Sequence, residues 1–253
     1  MSVKDRIALV TGGGRGIGRA IALALAEDGA DVAINYRRDA DAAKETVAAI
    51  EALGRRSAAY QASVDDLAAD EAMVEAICRD LGPVDILINN AGIASRGQSV
   101  VDTDPAELEH VIRTHALSAH HLSKLVIPGM QQKERGDIIM ISSTSTLFMW
   151  ANGAPYNMAK AAMEALALTL AKELRPHGIR VNIIAPGLVE TEMGRRLVKA
   201  TQGVDDFRKL DKHMPFGRIC QPEDIANTVR FLVSDEGGYI TGEKINVHAG
   251  GHR

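Results

Sequence analysis

The stretch from residue 7 to residue 28 narrows the possible folds more than any other part of the chain. Ile7-Ala8-Leu9-Val10 is an apolar run of strand length, Thr11-Gly12-Gly13-Gly14-Arg15-Gly16-Ile17-Gly18 follows at once, and an alanine-rich helical stretch from Arg19 to Asp28 comes next. Strand, glycine turn and helix in that order are compatible with few architectures. Glycines let the backbone take positive φ and approach a pyrophosphate closely, and the free N–H groups and dipole of the next helix attract the anion. The spacing, Gly12-x-x-x-Gly16-x-Gly18, departs from the strict G-x-G-x-x-G dinucleotide fingerprint. A merely flexible connector is a poor account of it, because the glycines sit between a short apolar run and a helix.

Further along, strand-like runs near 6–11, 31–36, 57–61, 84–89, 136–143, 179–185 and 243–247 alternate with longer helical ones. That alternation predicts parallel pairing through right-handed crossovers, hence an α/β doubly wound parallel sheet with helices on both faces. Ligands of such sheets bind at the carboxyl ends of the strands, where the glycine turn, Asn89–Gly92, Ser143 and Pro186-Gly187 would gather. The 253 residues, 46% hydrophobic and 25% charged, suit one globular domain over 1–253. A net charge of −4 with scattered basic residues argues against a nucleic-acid partner. Cys78 and Cys220, the two cysteines, form no C-x-x-C and no metal-like spacing, so inert thiols and no metal site are expected. No apolar stretch approaches the roughly 20 residues of a membrane span, and a cytoplasmic location is expected.

Tyr156 and Lys160 lie four residues apart in Tyr-Asn-Met-Ala-Lys, and Ser143 closes the apolar run 138–141 thirteen residues before the tyrosine. If Tyr156 opens a helix, positions i and i+4 share a face, so the ammonium sits beside the phenol and favours its ionised form. Such a tyrosine would exchange protons near neutral pH, with the serine hydroxyl holding a carbonyl or alcohol oxygen against it. On its own the trio also fits an ordinary helix pair and a loop serine.

Taken with Asn89-Asn90-Ala91-Gly92, Pro186-Gly187, Thr191, Pro222-Glu223-Asp224-Ile225-Ala226 and Thr241-Gly242, these motifs resemble the short-chain dehydrogenase/reductase family across nearly the whole chain. Within it the sequence looks most like the 3-oxoacyl-(acyl-carrier-protein) reductase-like group, whose substrates are diverse. The resemblance implies a seven-stranded Rossmann-like sheet of order 3-2-1-4-5-6-7. It also implies hydride exchange between a nicotinamide and a carbonyl/alcohol pair, with Tyr156 as general acid/base, Ser143 holding the oxygen, and Lys160 lowering the phenol pKa and orienting the ribose. Gly12, Arg15, Gly16, Ile17, Gly18, Tyr36, Arg37, Ser63, Val64, Asn90, Ala91, Gly92, Pro186, Gly187, Val189 and Thr191, with Tyr156 and Lys160, would line the cofactor. Ser145, Phe148, Met149, Trp150, Leu188 and Met193 would face the substrate, although core packing is the other reading of the apolar ones. The irregular stretch 188–215 stands where the family places a substrate-covering loop.

At the end of the second strand Tyr36 occupies the usual acidic position and Arg37 follows, while Arg15 lies in the glycine turn. Two guanidiniums can hold the 2′-phosphate of NADP(H) by paired hydrogen bonds, whereas Asp39 as a displaced acid would favour NAD. His115 replaces the family's asparagine, which helps hold a relay water near the lysine; a histidine there can substitute, displace the water or simply pack. Ser63 stands where an aspartate commonly contacts adenine, His248 departs from the commoner C-terminal pattern, and His177 stands where carrier-docking relatives have arginine. Small residues on several faces of 159–168, more than one buried face needs, predict that a second subunit covers one of them, and the resemblance implies a homotetramer built from paired helices of this kind. A sensor that binds dinucleotide without turnover is the rival class.

Overall fold

The computed structural model describes residues 3–251. Seven parallel strands form one sheet in the order β3-β2-β1-β4-β5-β6-β7, the expected order. They are β1 (Ile7–Val10), β2 (Asp31–Tyr36), β3 (Ser57–Gln61), β4 (Ile86–Asn89), β5 (Gly136–Ile141), β6 (Ile179–Pro186) and β7 (Lys244–Val247). Helices on both faces explain why the central strands read as unbroken apolar runs rather than alternating ones. In β5, Ile139 and Ile141 join the core beneath α1 (Gly16–Glu27) and α9 (Pro222–Val233). Ile138 and Met140 join the opposite core with α3 (Leu67–Asp80), α5 (Ser118–Met130) and α7 (Ala154–Leu174).

The other helices are α2 (Ala40–Ala52), α4 (Pro105–Ile112), the short α6 (Ser145–Phe148) and α8 (Glu192–Gln202). Between α4 and α5 the helix continues through a π-helical turn, Arg113–Leu117, that buries Thr114, His115 and Ala116. Such turns frequently mark functional sites.

The stretch 188–215 is not irregular as expected. Thr191 caps α8 by accepting from the Gly194 amide, and Gly203 ends it at φ +66°. A 3-10 turn, Phe207–His213, follows, and Val198, Phe207, Leu210 and Ile219 close a small core of their own. The capping threonine and the terminal glycine were visible as helix signals in the sequence.

Candidate active site

The glycine turn is built by contacts that forbid side chains. Gly12 and Gly16 have φ +61° and +54°, and a Cβ on Gly18 would stand 2.3 Å from the Gly12 carbonyl oxygen. Arg15, the residue before α1, gives no side-chain cap and the first turn carries no acid, so the N–H groups of Gly16, Ile17 and Gly18 are available to an anion. Thr11 and Asn35, which the sequence reading left out of the site, hold this turn. The Thr11 hydroxyl accepts from the Asn90 and Ala91 amides, each at 2.9 Å. Asn35, 2% exposed, accepts from the Gly12 amide through Oδ1 and donates to the Ala62 carbonyl. A buried asparagine at a strand end needs several partners, and that was the available signal.

At the end of β2, Tyr36 is half-buried and Arg37 is exposed. Arg37 lies close enough to Asp65 to help hold that carboxyl below its usual range, behind the stronger hydrogen bond from Ser63. Ser63 is thus directed at Asp65, and Val64 beside it is buried. Asp39 caps α2 by accepting from the Ala42 amide, which commits it to structure rather than to a ribose. Arg15 is paired with Glu192 at 2.8 Å and approaches Asp39 at 3.8 Å, so acids already engage its guanidinium.

From the turn, contacts lead directly to the tyrosine. Gly12 abuts Asn90 and Ala91, and Gly92 lies against the His115 ring, where a Cβ would come within 2.3 Å. His115 stacks edge-to-face on Tyr156, ring centroids 5.4 Å apart. Its Nε2 lies 2.8 Å from the Ile93 carbonyl, and Nδ1 is buried without a partner among the described residues. Burial, reinforced by the Lys160 charge, pushes the imidazole down to about 3. The ring is therefore neutral at physiological pH; Nε2 faces both the Ile93 carbonyl and, at 3.1 Å, the Ile93 amide, so the nitrogen that carries the proton decides whether Nδ1 is a bare acceptor or a buried donor.

Pro155 in the first turn starts α7, which carries Tyr156 and Lys160 on one face as the spacing predicts. Lys160, 3% exposed, donates to the Ile141 carbonyl at 2.6 Å and stands 5.7 Å from the Tyr156 ring centroid. Its burial brings the ammonium down to about 7, against the opposing pull of Glu164. The expected depression of the phenol is not found. Burial raises Tyr156 above 10, and the opposing influence is a hydrogen bond with the Ser143 side chain rather than the Lys160 charge. Desolvation of the half-buried phenol outweighs an ammonium that is itself desolvated and turned toward a carbonyl.

On the far side of Ser143, Pro186 ends β6 and accepts from the Thr144 amide, while the Gly187 amide donates to Val247. Val189 is buried and Thr191 caps α8. A cavity of about 270 Å³ opens here, walled by Phe148, Leu188, Met214, Phe216, Val247 and His248. Met149, Trp150 and Met193 do not line it and are about half exposed, at 53%, 54% and 45%. Ser145 is buried with its hydroxyl unpartnered. Desolvation raises both thiols, Cys220 to about 12. Among the described residues no cluster of three or more His, Cys, Asp or Glu is placed to hold a metal ion, and no helix is long and apolar enough to cross a membrane.

A glycine turn leading through Gly92 and His115 to a Ser-Tyr-Lys group, at the carboxyl edge of a parallel sheet, defines a single-domain α/β oxidoreductase. Residues 12–252 match the family model described as Enoyl-(Acyl carrier protein) reductase. The chain is 39% identical over 251 residues to the 3-oxoacyl-(acyl-carrier-protein) reductase FabG of Escherichia coli (strain K12), covering 99% of this chain and 98% of that protein. Among solved structures it is similar to a short chain dehydrogenase from Burkholderia cenocepacia J2315 in complex with NADP, with TM-score 0.89, 35% identity and 98% of both chains covered. It is likewise similar to a 7 alpha-hydroxysteroid dehydrogenase complexed with NADH and 7-oxo glycochenodeoxycholic acid, with TM-score 0.91, 33% identity and coverage of 99% and 96%. The chain belongs to the short-chain dehydrogenase/reductase family, whose members are oxidoreductases acting on CH–OH and C=O groups.

Proposed function

We propose that the protein is an NADP(H)-dependent reductase that interconverts a ketone and a secondary alcohol, with Tyr156 as the proton donor and acceptor. The observation that carries this reading is the continuous contact from the uncapped glycine turn through Gly92 and His115 to the half-buried Tyr156, whose acidity the nearby Ser143 side chain influences. The cradle fits a dinucleotide: a Cβ at Gly18 would fill it, and the first-turn N–H groups of α1 face the pyrophosphate position. The bound nicotinamide supplies a hydride to the carbonyl carbon. Ser143 and Tyr156 hold the carbonyl oxygen, and the phenol, protonated through neutral pH, gives its proton to that oxygen as charge develops there. Lys160 holds the ribose and a positive charge beside the phenol. Neutral His115 fixes the Ile93 backbone through Nε2 and keeps Nδ1 buried without a partner among the described residues.

Phe148 and Leu188 direct the substrate's apolar part into the 270 Å³ cavity, which Met214 and Phe216, just past the 3-10 turn, help to wall. The similarity to 3-oxoacyl reductases makes acetoacetyl esters the first substrates to test. His177 is exposed at the end of α7 where a docking arginine would be expected, which favours a free substrate over a carrier-bound one. NADPH absorbance followed with a panel of ketones and acetoacetyl esters tests the reading. Consumption is expected, and saturable NADPH binding with no consumption on any member would identify a sensor instead.

The choice of NADP(H) rests on Arg37. Arg15 must leave Glu192 to reach a 2′-phosphate, whereas Arg37 is exposed at the strand end. Arg37→Asp should weaken NADPH by about 1.5–3 kcal/mol, roughly 10- to 150-fold, and reverse the preference toward NADH. Equal wild-type affinity for the two cofactors by fluorescence titration would remove the phosphate from the account.

The outward face of α7 carries Met158, Ala162, Ala165 and Thr169, with Leu168 exposed beside them. A small-residue, partly apolar stripe of this length suits close packing against the same helix of another subunit, and D2 symmetry would close a homotetramer. Light scattering at micromolar concentration should return four times the chain mass, and a monomer mass would reject this assembly.

A further inference from the structure

Glu164, which no motif singled out, lies on α7 one turn beyond Lys160 and two turns beyond Tyr156. Its Oε1 accepts from the Ser142 hydroxyl at 2.5 Å and from the Thr146 hydroxyl at 2.8 Å. Ser142 directly precedes Ser143, and Thr146 follows it by three residues in α6. Its Oε2 accepts from Lys244 of β7 at 2.9 Å, and Lys244 also donates to Thr146 at 2.6 Å. Only 15% of the Glu164 side chain is exposed, so its partners are fixed and weakly screened.

The structure assigns Glu164 as a positioning residue for the reaction: one carboxylate ties Ser142 and Thr146, before and after Ser143, to the helix that carries Tyr156 and Lys160, and its charge, set against Lys244, favours the ammonium form of Lys160. Ser143 follows the end of β5, where the amides of Ser142 and Thr144 still donate to the Ile184 and Pro186 carbonyls of β6. Those bonds fix the segment to the sheet, and its tie to the helix that carries Tyr156 comes from side chains. The two hydroxyls on Oε1 tie that segment down on either side of the serine, so Ser143 and Tyr156 share a single rigid support. The electrostatic part follows from the same placement. The groups facing Lys160 are Glu164 and Tyr156 on its own helix and the neutral His115 of the π-turn, and the groups facing Glu164 are Lys160 and Lys244. The carboxylate is therefore the only formal charge among the described residues that opposes the desolvation of Lys160.

The assignment rests on the proposed catalytic role of Lys160 and Tyr156, and its test is separable from that reading because it needs only a wild-type enzyme that consumes NADPH. The pH profile of kcat/KM for ketone reduction is measured for wild type, Glu164→Gln and Lys244→Met. Glutamine keeps an acceptor for Ser142 and Thr146 but removes the charge, so the alkaline limb should move to lower pH by about one unit, the order a unit charge exerts at this range in partly buried protein. Lys244→Met frees the carboxylate from its counter-ion and should move the same limb upward. A structural role alone would lower rates in both variants and leave the limb in place. An unmoved limb, or shifts in the same direction, with wild-type turnover intact would overturn the assignment.

Discussion

Replacing Tyr156 by phenylalanine should abolish turnover by about 10²–10⁴-fold while leaving NADPH affinity within a few-fold of wild type, the span general acid catalysis usually contributes. Phenylalanine keeps the ring that stacks edge-to-face on His115 and removes only the hydroxyl. The buried phenol also sets a direction. Because burial raises it above 10, the donor is fully protonated at neutral pH, which suits reduction, whereas oxidation needs the phenolate and should accelerate as pH rises. Stopped-flow measurement of NADPH oxidation with saturating ketone, beside a fluorescence titration of the cofactor, separates chemistry from binding. Wild-type turnover by the variant would dismantle the site assignment, including the roles given to Ser143 and Lys160.

Much of this arrangement was readable in advance because it depends on short-range chemistry. The glycine turn, the Tyr156–Lys160 spacing and the apolar strands each follow from one backbone geometry, and strands alternating with helices imply a doubly wound parallel sheet, whose strand order came from the family resemblance. The parts that were misread depend on packing partners from elsewhere in the chain. No sequence pattern announces that Lys160 will turn to the Ile141 carbonyl instead of the phenol, or that burial will outweigh its charge. Arg15 reads as a phosphate ligand until α8 brings Glu192 to it across 177 positions. The π-turn at 113–117 is likewise silent, since its residues are ordinary helix formers and only the fit of His115 against Gly92 and Ile93 gives it a purpose. Glu164 was overlooked for the same reason. A lone glutamate on a helix is normally solvated, and its four partners come from β5, α6, β7 and its own helix face only after folding.

Asp70 should make the protein less stable as pH rises, and Asp70→Asn should recover that loss. The residue lies inside α3 facing α5, 0% exposed, with neither carboxyl oxygen hydrogen-bonded among the described residues. His121 Nδ1 is 4.0 Å away, beyond hydrogen-bond reach. Burial first, then the nearby charges of Asp66 and Asp65, raise the carboxyl from 3.8 to about 8. The folded protein therefore keeps a proton between about pH 4 and pH 8 that the unfolded chain releases. Stability contributed by that retained proton declines across this window and is flat above it. Roughly four pH units correspond to at most about 5 kcal/mol, and structural relaxation reduces the usable part to about 2–4 kcal/mol. Asparagine matches the neutral acid in shape and polarity but has no proton to lose on unfolding. Its advantage over wild type should be near zero at pH 4 and grow to about 5–10 °C in Tm by pH 8.5. Parallel pH profiles for the two proteins would mean that Asp70 is ionised in the folded state, with His121 or water supplying the partner that the α3–α5 interface otherwise denies it.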